Sequence, residues 1–209
     1  MYSVFENLPE EKKQNIIKCA LKEFADKGYE QASTNTIVKE AGISKGILFH
    51  YFKTKRDLYR YVIFYCIDLM YTQMLEYMVF TSDDYFERML EVSAAKMKVQ
   101  IKYPEIYTVV VNIFKSSQQD IIKEIYERYT PLITEYYAKV NTGIAMSKFK
   151  EGIDINRVNE VVTWIAEGMG NKVIKEVSSK VEDIEETRKT LESEFRIYAE
   201  ILKKGVYRE

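Results

Sequence analysis

Histidine and cysteine are almost missing from this chain, which has one His and two Cys among 209 residues. A zinc site of imidazoles and thiolates cannot be assembled within one subunit, and a disulfide scaffold is not expected. Cys19 and Cys66 fall inside helical patterns, as small core residues would. The lone histidine, His50, leaves the rest of the chain without a resident for histidine-based acid–base chemistry. Glycine-rich phosphate loops and nucleophile elbows are absent too, so no catalytic residue, metal or cofactor is expected. Only three Pro and eight Gly interrupt the sequence, which leaves long stretches for helices and few turn clusters for strands. No apolar run approaches the roughly 20 residues of a membrane span, and no signal peptide follows Met1. These absences predict a cytoplasmic, all-α protein with no membrane partner.

The net charge of −1 hides an asymmetry. Residues 1–56 carry 10 Lys and Arg against 7 Asp and Glu, whereas residues 57–209 carry 21 against 25. A basic head on an acidic body suits a protein that touches a polyanion with one end. The near-neutral total argues against an architectural protein that coats DNA without sequence preference.

Helical periodicity runs through the chain. The first long helix is predicted from Pro9, with Glu10 and Glu11 suited to its dipole and Ile17, Ala20, Leu21 and Phe24 on one face, until Gly28 stops it. Ile37, Val38 and Ala41 supply the apolar face of a second helix, and Ile47, Leu48 and Phe52 the inward face of a third. A core this small is marginal by itself. A connector helix should run from Lys55 to about Phe80, and a helix pair over 83–103 and 104–115, with Ser82 capping the first. Pro131 predicts a kink or a break in a helix spanning 118–140. Two final helices, over 155–177 and 182–204, carry wide apolar stripes: Val158, Val161, Val162, Ile165, Met169 and Val173, then Ile184, Leu191, Phe195, Tyr198 and Leu202. Such stripes form a four-helix bundle with a symmetry mate or else an intramolecular core.

The most informative stretch is 33–55, STNTIVKEAGISKGILFHYFKTK. Ser33 and Thr34 precede its first apolar run and Ser44 its second, where hydroxyls can accept from free backbone N–H groups. Gly42 between them can turn the chain within three or four residues, which is helix-turn-helix spacing.

Together with Ile17, Ala20, Phe24, Gly28, Ile37, the run Ala41–Gly46, Leu48–Phe52, Lys53–Lys55 and Leu58, this stretch resembles the TetR family of bacterial transcriptional regulators over about residues 12–60. The resemblance implies an all-α fold of about nine helices. A three-helix helix-turn-helix head over 1–54 would be joined by the long connector to a helical ligand-binding and dimerisation body over 55–209. It further implies a homodimer through the last two helices, a double-stranded DNA operator and a small-molecule effector, with repression as the family default and activation as an alternative.

The residues agree with that implication. Lys45 and Gly46 open the recognition helix, where Lys45 can reach a guanine edge or a phosphate and the glycine lets the backbone come close. His50 lies one turn on, Tyr51 can donate to a phosphate, Lys55 starts the next helix beside the DNA backbone, and Thr34 sits at a helix start that suits an anion. Family members often carry Tyr where this chain has Phe49, which either packs on a thymine methyl or belongs to the core. For the effector, Tyr65, Met70, Met74, Tyr107, Phe114, Tyr126, Tyr137 and Trp164 form a candidate lining for an apolar or aromatic molecule, with ordinary core as the alternative. A helical carrier or enzyme with an appended head is the competing class.

Overall fold

A computed structural model gives the structure of the chain, described over residues 2–177 and 184–208 and, for residues 170–177, 184, 185, 187 and 188, by the backbone alone. Among these residues there are ten α-helices: α1 (Ser3–Glu6), α2 (Glu10–Gln31), α3 (Thr34–Glu40), α4 (Lys45–Tyr51), α5 (Lys55–Tyr77), α6 (Tyr85–Lys102), α7 (Pro104–Phe114), α8 (Gln119–Asn141), α9 (Ile155–Val177) and α10 (Ile184–Val206). A 3-10 turn occupies Met146–Lys148, and an isolated bridge pairs Phe149 with Tyr207. The all-α expectation holds. No helix among the described residues is long and apolar enough to cross a membrane.

Local chemistry explains the boundaries. Pro9 precedes α2, whose first turn carries Glu10 and Glu11. Gly28, at φ 66°, interrupts that helix in a backbone region L side chains avoid. After α3, Gly42 also takes φ 66°, the N–H of Ile43 donates to Val38 O at 3.0 Å and that of Gly42 to Lys39 O at 3.3 Å. This is a Schellman ending, which satisfies carbonyls that the helix leaves free and turns the chain toward α4. Asp84 rather than Ser82 caps α6: its Oδ1 accepts from the N–H groups of Phe86 (2.9 Å) and Glu87 (3.2 Å). The connector helix ends at Tyr77, short of Phe80.

The chain divides into two compact units, and not at residue 54. The first contains residues up to Gln73 together with Lys102–Leu132. Its core joins Ile17, Ala20 and Phe24 of α2, Ile37 of α3, Leu48 of α4 and Leu58 and Val62 of α5 to Ile106, Val109 and Ile113 of α7 and Ile121 and Ile125 of α8. Helix α7 and the first half of α8 pack into one core with the helix-turn-helix head, because three short helices bury too little apolar surface alone. Charged side chains knit α5 to α8 in register. Arg56 pairs with Asp120 and Arg60 with Glu124, while Asp68 accepts from Arg128 Nη2 at 2.8 Å and from Tyr129 Oη at 2.6 Å. Phe64 lies between the guanidiniums of Arg60 and Arg128, which stand 5.0 and 5.1 Å from its ring centroid.

The second unit contains Met74–Ile101 and the chain from Ile133 onward. Its core gathers Tyr85, Phe86 and Met89 of α6, Tyr136 and Val140 of α8, Val158, Val162 and Met169 of α9, and Leu191, Phe195 and Ala199 of α10. Arg88 is buried in this unit and donates to carbonyls: Ser82 O (3.1 Å), Val140 O (3.0 Å) and Thr142 O. A cation on the last carbonyls of α8 complements the dipole of that helix. Helix α8 runs on through Pro131 without the expected break, yet the division between the units falls one residue later, after Leu132.

Of the stripes assigned to a partner, Val158, Val162, Met169, Leu191 and Phe195 instead fill this unit's own core. Val173 and Ile184 lie outside the described side chains. Tyr198 of the expected stripe is exposed instead, beside Ile197 and Ile201 on α10, and Trp164 of α9 is 64% exposed. Residues three and four apart share a helix face, as Ile197 and Ile201 do, so burying one stripe left another outward.

Candidate nucleic-acid interface

Helix α4 has seven residues and two sides. Leu48 and the following Phe52 are each 1% exposed and anchor it in the head, whereas Lys45, Gly46, Ile47 and His50 are exposed. Its start is held by Ser44, whose Oγ accepts from the N–H of Ile47 at 3.2 Å. Ser33, the equivalent residue before α3, makes no such cap; its own N–H donates to Glu23 Oε1 at 2.8 Å, and Thr34 is half-buried. Lys39 of α3, Lys45 of α4 and Lys53 of the loop beyond are exposed on this part of the head, with Glu40 the acidic residue among them.

Two positions differ from expectation. Ile47, expected inward, is 39% exposed and adds an apolar side chain to the outer face. The helical period puts the residue before an inward Leu48 about 100° round the helix, and the three-residue pattern Ile47, Leu48, Phe52 did not separate the two. Phe49 is half-buried and stands outside the core cluster, which leaves its ring at the margin of the same face.

Lys55 also has a different environment from the one expected. Its Nζ donates to Glu30 O at 3.1 Å and Ala32 O at 2.9 Å, and sits 4.8 Å from the Tyr29 ring centroid. The ammonium thus closes the end of α2 after the Gly28 interruption. Tyr51 is likewise half-buried, its ring 5.6 Å from that of Phe5. A surface concavity of about 180 Å³ beside it is lined by Tyr2, Val4, His50, Tyr51, Lys53 and Asp57.

Gly46 needs no special backbone. A Cβ there would meet Ser44 Oγ at 3.9 Å, an ordinary contact, so the fold itself would accept alanine. Glycine in a helix costs roughly 0.5–1 kcal/mol relative to alanine. The head therefore bears a small cost for a bare backbone at the exposed start of α4.

The eight residues expected to line an effector site are divided between the two units. Tyr65, Met70, Tyr107, Phe114 and Tyr126 belong to the first unit, and Met74, Tyr137 and Trp164 to the second. Phe114, Tyr126, Tyr137 and Trp164 are exposed, with Phe114 and Tyr126 facing each other at 6.1 Å. Tyr65 donates to Gln14 Oε1 at 3.1 Å, and Met70 and Met74 pack against the two separate cores. An aromatic stripe read from sequence does not distinguish a helix side that faces inward from one left in water. Tyr136 was missed: it is 5% exposed, and its hydroxyl has no hydrogen-bond partner among the described residues. Burial holds that phenol above its ordinary pKa.

Comparison with known proteins places these features. Residues 16–62 match the sequence model of the bacterial regulatory proteins of the tetR family. The chain is 43% identical over 65 residues to the uncharacterized HTH-type transcriptional regulator YuxN of Bacillus subtilis (strain 168), a match covering 31% of this chain and 22% of that protein. It is 40% identical over 75 residues to an HTH-type transcriptional regulator of Staphylococcus aureus (strain USA300), covering 36% of this chain and 38% of the relative. The chain thus spans well under half the length of these curated relatives. Among solved structures, a TetR family transcriptional regulator from Chloroflexus aurantiacus J-10-FL superposes with a TM-score of 0.69 at 24% identity, covering 99% of this chain and 98% of the other. The ketosteroid transcriptional regulator KstR2 of Mycobacterium tuberculosis gives 0.64 at 16% identity, covering 97% and 98%. These structural likenesses show the fold, and the sequence match is confined to the head. The helix-turn-helix head thus matches the tetR family of bacterial regulatory proteins over residues 16–62, and the chain as a whole shares the all-helical fold of solved TetR family regulators.

Proposed function

We propose that the chain acts as a homodimeric, ligand-responsive repressor that binds a palindromic DNA operator, with α4 of each subunit in a major groove. The observation that carries this reading is the outer face of α4, where Lys45, Gly46, Ile47 and His50 are exposed on a helix anchored from behind by Leu48 and Phe52. Lys45 supplies a donor for a guanine edge or phosphate, Ile47 an apolar contact for a thymine methyl, and His50 a second donor. Gly46 lets the backbone approach closely. Lys53 and Lys39 are then phosphate contacts that orient the head, and Thr34, Phe49 and Tyr51 flank the groove. Lys55 serves by holding α2 to α5.

Dimerisation is assigned to α9 and α10 through Trp164, Ile197, Tyr198 and Ile201. A palindrome is read only if the two recognition helices sit about 34–36 Å apart. The effector is a small, largely apolar or aromatic molecule taken up in the second unit, where the Tyr136 hydroxyl is a ready polar handle in an apolar surround. It releases the operator only if it prefers a conformation in which that spacing is lost. Helices α5, α6 and α8 each contribute residues to both units and are the covalent routes for such a change.

Selection of bound sequences from a random DNA pool tests the reading. The expected product is palindromic, its half-sites one helical turn apart, with affinity that falls as salt rises. Enrichment of no sequence would end it.

A further inference from the structure

The segment before α2 is bound to the far end of α4 by rings. Phe5 is fully buried, its ring centroid 4.7 Å from Phe52, 5.6 Å from Tyr51 and 5.1 Å from Tyr61. Tyr2 adds contacts to Phe52 at 5.6 Å and, edge-on, to Tyr61 at 5.2 Å. Tyr51 is the last residue of α4, Phe52 is its C-cap and Tyr61 lies on α5. Five aromatic rings from three segments therefore close one cluster at the end of α4 opposite Lys45.

Hydrogen bonds give this cluster a direction. Tyr2 Oη donates to Asp57 O at 3.3 Å and accepts from Arg60 Nη1 at 3.2 Å. Tyr61 Oη donates to Glu6 Oε1 at 2.8 Å, and Glu6 also takes Lys13 of α2 at 3.5 Å. Arg60 in turn forks onto Glu124 of α8. Residues 2–6 are thus tied to α2, α4, α5 and, through Arg60, α8. Helix α4 needs such support, because a seven-residue helix has little stability of its own and takes its position from tertiary contacts.

We propose that Tyr2 and Phe5 are positioning residues for DNA reading: they set the angle of α4 against α5, and so its fit in the groove, without touching the DNA. This rests on the assignment of α4 as the recognition helix. Removing the Phe5 ring leaves every base-contacting side chain in place but frees the C-terminal end of α4, so specific binding weakens while phosphate attraction persists.

The test compares the full chain with Phe5→Ala, Phe5→Leu, Tyr2→Phe and Lys45→Ala for binding to the selected operator and to random DNA at fixed salt. Thermal unfolding and amide hydrogen exchange over α4 accompany each variant. For Phe5→Ala the operator affinity should fall about ten-fold, the effect of one mismatched base pair, with random-DNA affinity and salt slope nearly unchanged. Phe5→Leu should restore most of the loss, and amides of Leu48 to Phe52 should exchange faster in Phe5→Ala than in the unaltered chain. Lys45→Ala should instead lower the salt slope by about one, marking a phosphate contact, or relax base preference at one position. An unchanged ratio of operator to random-DNA affinity in a folded Phe5→Ala overturns the proposal, as does a parallel loss in both. Should Phe5→Ala fail to fold, Tyr2→Phe decides, since it keeps the ring and deletes two hydrogen bonds; an unchanged ratio and unchanged exchange there overturn it. If the unaltered chain binds no DNA, the recognition-helix assignment fails, while the exchange data still report whether Phe5 holds α4.

Discussion

Lys55 Nζ donates to Ala32 O at 2.9 Å, across 23 residues of sequence. Together with its bond to Glu30 O and its place over Tyr29, this makes Lys55 the clasp between the end of α2 and the start of α5. Lys55→Ala should lower stability by roughly 1 kcal/mol, reduced from the usual charged hydrogen bond by partial exposure, and leave the salt slope of DNA binding unchanged. Lys45→Ala should do the reverse. Thermal melts and titrations at several salt concentrations on both variants separate the roles.

Arg88 should dominate the stability of the second unit. Its guanidinium serves three carbonyls, and Arg88→Met removes the donor from all three, leaving that of Val140 buried without it. A loss of about 3 kcal/mol is expected in denaturant unfolding. Arg88→Lys should recover little, since one ammonium cannot reproduce the fork.

Alkaline pH should weaken the first unit through its buried phenols. Burial pushes Tyr59 up to about 12, and burial followed by the Glu6 contact raises Tyr61. A folded-state pKa above the unfolded value near 10 means that the stabilisation is complete below pH 10. It is lost as pH rises toward the folded value. Tyr59→Phe should therefore flatten the fall in stability between pH 10 and 11 by on the order of 1 kcal/mol, measured by urea unfolding at each pH.

The exposed face of α9 and α10 should carry the dimer. Ile201→Glu places a charge on it and should shift the chain to monomer in sedimentation, since a buried unpaired carboxylate costs several kcal/mol. Trp164, the chain's one tryptophan, reports independently: its emission should move to longer wavelength when the partner is lost. A monomeric unaltered chain would remove the assignment.

Sequence by itself determined the head's local geometry. Gly28 and Gly42 were legible because both need a positive φ, Ser44 because an N-cap is a contact within one turn, and the inward Leu48 and Phe52 because helical period is local. The exposed side of α4 followed, apart from Ile47. What only the tertiary structure decided were matters of long-range contact. Lys55 became a clasp because Ala32 and Glu30 come within reach in space. Phe5 reaches α4 although it stands more than 40 residues away, and α7 joined the head because the three-helix core needed more apolar cover. The apolar stripes of α9 and α10 filled their own core and left Trp164 and Ile201 outside. Periodicity gives a helix its faces, but which face meets which neighbour is set by packing between distant segments, and no local pattern records it.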